Sequence, residues 1–239
     1  MHLVVFDVDG TLVESEDFDG VLYARAIRNA LKIDVDEDWA GYRHQTDSGI
    51  LNEVLDRNGA GGDRSQAHVS VKREFIALVA GYLAARGDRL PEVPGARAFV
   101  NRLAARPDVA VAIATGGWKD SAAMKLRAIG LDPDTLNLAS GSDAVSRVGI
   151  MRIAARRALG GRSAERRTYF GNRPWDREAS RRLSWHFIGI GPDVEHSTRF
   201  DDLLDQESLD GALALTAPTA VAATETGSHP GSTGHPSTA

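Results

Sequence analysis

The 239-residue chain opens MHLVVFDVDGTLVES, where an apolar run, Leu3-Val4-Val5-Phe6, leads straight into Asp7 and Asp9. Two carboxylates one residue apart repel each other, and burying either without a partner is costly. A pair so placed calls for positive charge. Mg²⁺ fits that demand: it is a hard cation that takes carboxylate oxygens and works with few protein ligands plus a substrate phosphate. Gly10 allows the chain to turn without side-chain hindrance, and Thr11 brings a hydroxyl and an amide nearby.

Two more polar positions follow apolar runs. Thr115 ends VAVAIAT (109–115), and Asn172 and Asp176 come just after RTYFG (167–171). In an open parallel sheet, sites form beyond the carboxyl ends of the strands. Strand ends far apart in sequence thus converge on one crevice, where a divalent cation would neutralise the acids Asp7, Asp9 and Asp176.

The elements that must hold these residues are short. TLNLAS near 135–140 and WHFIGIG at 185–191 join the runs above as strands, each bounded by Gly or polar residues. Such unbroken apolar strands belong to parallel sheets covered on both faces. Helical spacing appears between them: after Pro94-Gly95, where Phe99, Val100 and Leu103 recur, and over 121–129, 150–159 and 174–183. Alternating strands and helices predict an α/β fold, a doubly wound parallel sheet. Residues 14–90 carry no strand signal. Leu22, Ala26, Ile27, Ala30 and Leu31 mark one amphipathic helix, Ile50, Leu51, Val54 and Leu55 a second, and Phe75, Ile76, Val79 and Leu83 a third. An insert this long exceeds an ordinary connection and reads as a smaller helical domain. The expected organisation is a core of residues 1–13 and 91–215, a helical domain at 14–90, and a disordered tail at 216–239 rich in Thr, Ser, Pro, Gly and Ala.

Composition narrows the chemistry. A net charge of -5 gives no reason to expect nucleic acid, and the arginines between 147 and 182 read as a solvated charge run on helix faces. There is no cysteine, so disulfides, thiolate zinc sites and a cysteine nucleophile are excluded. No apolar run is long enough to cross a bilayer and the opening lacks a signal pattern, so a cytoplasmic protein is expected.

DVDGTLVES resembles the first motif of the haloacid dehalogenase-like hydrolase superfamily, IATGG its second and GNRPWD its fourth. The similarity spans roughly residues 1–205, with the insert where members of this type carry a helical cap. The resemblance implies a Mg²⁺-dependent phosphatase acting on a small phosphorylated metabolite. It makes Asp7 the nucleophile that forms an aspartyl-phosphate, and Asp9 the general acid and then base. Thr115 and the amide of Gly116 would hold the phosphoryl oxygens, while the Asp7 carboxylate and the Asp9 carbonyl would bind Mg²⁺. In the cap, Arg43 and His44 are expected at the leaving group, and Asp47 or Ser48 as a helix N-cap.

Two positions depart from the family pattern. Asn172 stands where an acid is usual; its oxygen can still ligate Mg²⁺ but brings no negative charge, so weaker metal affinity is expected, offset by Asp176 acting directly or through water. The lysine of the third motif is replaced by Arg147, whose planar fork suits phosphate; Lys119 and Lys125 are the fallbacks, with Lys125 read as solvated. These departures keep two alternatives open: a catalytically weakened binding or regulatory protein on the same fold, and a phosphomutase using the same aspartates.

Overall fold

The computed structural model describes residues 1–59 and 62–215; the proposed tail lies outside them. Six parallel strands form one sheet: β1 (His2–Phe6), β2 (Val109–Ala114), β3 (Leu138–Ala139), β4 (Arg166–Gly171), β5 (His186–Ile190) and β6 (Arg199–Phe200), in the order β3-β2-β1-β4-β5-β6. β1 is central. Its alternation sends Val4 and Phe6 into one apolar cluster and Leu3 and Val5 into another on the opposite face. β2 sharpens this division. Val109, Val111 and Ile113 face the first cluster, while Ala110, Ala112 and Ala114 face the second. The small side chains admit α6 (Arg147–Leu159), which brings its own Ala154, Ala155 and Ala158 to that face. On the other face Phe6 stacks on Phe170 at 4.7 Å, and Phe99 of α4 (Ala96–Ala104) meets both rings edge-on.

The order reverses at β1, with β2 on one side and β4 on the other. Connections that diverge there leave a crevice at the strand ends, the place where such sheets bind ligands. α5 (Lys119–Ala128) follows β2, and α7 (Pro174–Leu183) follows β4 with its proline in the first turn.

Residues 14–90 hold α1 (Asp19–Leu31), a 3₁₀ turn (Trp39–Gly41), α2 (Asp47–Arg57) and α3 (Arg64–Ala84). Tyr23 and Ile27 of α1 are buried along with Val71, Phe75 and Val79 of α3, and all belong to the same apolar cluster as Val4 and Phe6. Two short elements carried no readable signal. β6 is a two-residue, mostly exposed edge strand, and α8 (Gln206–Leu213) buries only Leu209 and Leu213.

Candidate active site

β1 ends by handing Asp7 to the crevice. The Asp7 N–H donates to the carbonyl of Phe170 at 2.9 Å, fixing the aspartate against the end of β4. The residue is 3% exposed, and burial pushes its pKa up to about 7 against the opposing pull of Arg147. Arg147, the first residue of α6, places Nη1 3.0 Å from Asp7 Oδ1 and Nε 3.4 Å from Asp176 Oδ1. One guanidinium therefore lies between two buried carboxylates. The Arg173 N–H donates to the other Asp176 oxygen at 3.1 Å.

Gly10 follows at φ +72°, in the left-handed region, and a Cβ there would stand 2.0 Å from Asn172 Nδ2. Only glycine satisfies both conditions. Asn172 is buried and gives its Nδ2 to Glu16 Oε1 at 2.6 Å, which leaves its Oδ1 without a hydrogen-bond partner. Burial raises the pKa of Glu16, opposed chiefly by Arg173, which pairs with it.

Asp9 accepts from Ser15 Oγ and pairs with Lys125 Nζ, which also bonds Asp19 Oδ1 at 2.8 Å. The Lys125 side chain is fully buried. Its expected solvation is corrected: two carboxylates neutralise the ammonium inside the fold. Lys119, by contrast, is exposed.

The loop after β2 is tied to the insert. Thr115 Oγ1 accepts the Gly117 N–H at 3.2 Å, so the hydroxyl still has its own proton to donate. The Asp47 N–H donates to the Gly116 carbonyl at 3.0 Å, and Asp47 Oδ2 accepts the Trp118 N–H at 2.7 Å. A Cβ on Gly116 would lie 2.6 Å from the Gln45 carbonyl, so glycine lets the two segments touch. The N-cap of α2 is Thr46, not Asp47 or Ser48: Thr46 Oγ1 accepts from Gly49 N and donates to the Val145 carbonyl at 2.7 Å. Ser48 Oγ donates to the Gly141 carbonyl. This polar run fastens the insert to the core rather than merely starting a helix.

A cavity of about 370 Å³ opens over these groups. Asp7, Asp9, Thr115, Gly116, Arg147 and Asn172 line it, with Gln45, Thr46, Asp47, Trp39 and Ile50 on the insert side. Arg43 and His44 are the residues expected to meet a substrate. They lie outside the lining: Arg43 is exposed with its N–H on Glu53, and His44 packs its Cβ against Gly49. Asp176 is also absent from the lining and fully buried. The cation it faces is Arg147. Glu16 and Asp19 join the lining without having been singled out as site residues. Helical periodicity flags apolar faces, and nothing in it marks an acid at the start of α1.

Among the described residues, no three His, Asp or Glu side chains converge as a metal-binding cluster. The donors for a cation are instead mixed. A buried carboxylate, Asp7, and Asn172, whose amide oxygen is orphaned, line the same cavity, and the lining carries seven acidic residues against two arginines. A hard cation that retains waters fits such a set.

The sequence profile of the haloacid dehalogenase-like hydrolases matches residues 1–183. The chain belongs to that family. A comparison with curated proteins gives no match. Among solved structures, a hydrolase from Pseudomonas syringae is 21% identical, with TM-score 0.68, covering 88% of this chain and 99% of that one. CbbY from Rhodobacter sphaeroides in complex with phosphate is 18% identical at TM-score 0.63, covering 85% and 95%. A beta-phosphoglucomutase from Clostridium difficile is 11% identical at TM-score 0.65, covering 89% and 96%. At these identities the likeness shows a shared fold. Among the described residues, no helix is long and apolar enough to cross a membrane.

Proposed function

We propose that this haloacid dehalogenase-like chain is a Mg²⁺-dependent phosphatase that hydrolyses a small phosphorylated metabolite through an aspartyl-phosphate on Asp7. The observation that carries this reading is the floor of the cavity, where the Asp7 carboxylate is held by Arg147 and Asp9 reaches the same space two residues on.

In the first step an Asp7 oxygen attacks phosphorus, and the bond from phosphorus to the substrate oxygen breaks. Asp9 gives its proton to that oxygen as it leaves. In the second step Asp9 takes a proton from water, whose oxygen attacks phosphorus, and the bond to Asp7 breaks to release phosphate. Arg147 keeps one Asp7 oxygen oriented, so the other is aimed at the cavity. The Thr115 hydroxyl and the Gly116 amide hold the phosphoryl oxygens. The Asp7 carboxylate, the Asp9 carbonyl and Asn172 Oδ1 would hold Mg²⁺, which when bound supplies positive charge to the phosphoryl oxygens. The insert acts as a cap that shapes the leaving-group end through Trp39, Gln45, Thr46, Asp47 and Ile50.

Intact Asp7, Asp9 and Thr115 around one cavity favour catalysis over a purely binding role. The test is release of phosphate from 4-nitrophenyl phosphate with and without Mg²⁺. Mg²⁺-dependent release that Asp7→Asn abolishes is expected; release unaffected by Asp7→Asn would overturn the reading. Transfer of the phosphoryl group to a sugar phosphate instead of water would reassign the chain as a phosphomutase.

A further inference from the structure

We propose that Lys125 is a positioning residue that holds the Asp9 carboxylate in place and couples it to the start of the insert; this rests on the reading of Asp9 as acid and base. Lys125 sits on α5, a helix whose neighbouring Ala122 and Leu126 pack into the apolar cluster. An aliphatic residue would serve that packing alone. A fully buried ammonium has a different consequence: it must be met by negative charge, and its partners are then fixed in space.

Those partners come from two separate segments. Asp9 belongs to the turn after β1, and Asp19 is the first residue of α1. Both carboxylates line the cavity, whereas Lys125 does not, so it acts through them and never touches a substrate. Without the ammonium, Asp9 and Asp19 would repel each other across the shared wall. With it, Ser15 Oγ and Lys125 Nζ both hold Asp9 Oδ1, which anchors the carboxylate through that oxygen and leaves the other to face the leaving group. The same ammonium links Asp9 to the helix that begins the insert, so the acid and the cavity wall move together.

Leaving groups separate positioning from mere stapling. A nitrophenolate departs with little need of a proton, whereas phenolate needs more help from a placed acid. With Mg²⁺ present, turnover is measured on phenyl phosphate and 4-nitrophenyl phosphate for the wild type, Lys125→Met and Asp19→Asn. Lys125→Met is expected to lower kcat/KM, which reads the step that expels the leaving group, about tenfold or more on phenyl phosphate and less than about threefold on 4-nitrophenyl phosphate. Asp19→Asn leaves the lysine on Asp9 and should keep the wild-type ratio between the two esters. An unchanged ratio in Lys125→Met, with both esters slowed equally, overturns the proposal. If circular dichroism shows Lys125→Met to be unfolded, the double variant K125Q/D19N, which removes both buried charges together, is measured against the same criterion. A wild type that hydrolyses neither ester overturns the phosphatase reading and this role with it; an active wild type with an unchanged ratio overturns this role alone.

Discussion

At the scale of single residues, the site is governed by how buried charges find partners. Arg147 occupies the gap between Asp7 and Asp176, where an ion shared by those two acids was expected. Removing one partner of such a buried pair generally costs about 3–5 kcal/mol, so Asp176 serves to balance the arginine. Asn172 changes the expected outcome of its own substitution. Its Nδ2 bonds Glu16, so Asn172→Asp replaces a donor with a charge facing Glu16. We expect that variant to melt at a lower temperature than the wild type in chelator, and to gain more from added Mg²⁺. An equal Mg²⁺-induced rise in both proteins, read by thermal melting, would remove Asn172 from the ligand set. Asp7, Asp9, Thr115 and Arg147 were legible because each stands next to a strand end or a helix start. Lys125 was not: a lysine in helical spacing looks the same whether solvated or paired, and Asp19 lies 106 positions away.

At the scale of elements, the insert is joined to the core by the first turn of α2. Thr46 caps that helix and reaches the Val145 carbonyl, Asp47 takes two contacts from the loop after β2, and Ser48 reaches Gly141. Thr46→Ala removes the cap and takes the hydroxyl donor from the Val145 carbonyl. We expect a loss of about 1–2 kcal/mol in a urea melt, whereas Thr46→Ser should recover most of it. A shift under about 0.5 kcal/mol would mean that this cap is not holding the interface. The helices of the insert were readable from period alone, since Ile50, Leu51, Val54 and Leu55 are all buried. The docking contacts were not, because Thr, Asp and Ser at a helix start look like a cap whichever of them performs it. β3 shrank to Leu138–Ala139, since pairing with β2 extends no further than Ile113 and Ala114.

At the scale of the whole molecule, a sheet with two apolar faces carries a cavity rich in carboxylates, and stability should depend on pH accordingly. Burial pushes the Asp47 carboxyl up to about 8, with Asp19 adding to the effect. The folded state therefore holds this proton more tightly than the unfolded chain. Its contribution is complete below the ordinary aspartate range and is lost as pH rises toward about 8. Asp47→Asn, which keeps an acceptor for the Trp118 N–H, should raise the melting temperature above that of the wild type at pH 9 by several degrees, with the difference shrinking at acidic pH. A difference that is the same at every pH would contradict the assignment. The central claim, covalent capture of phosphorus by Asp7, is tested most directly by trapping the intermediate. The protein is mixed with a phosphate monoester and Mg²⁺, quenched, reduced with borohydride and digested for mass spectrometry. The account predicts homoserine at position 7, formed from the acyl phosphate and missing from controls without substrate. Phosphate release at full rate with Asp7 unmodified, or with the modification on another residue, would contradict it.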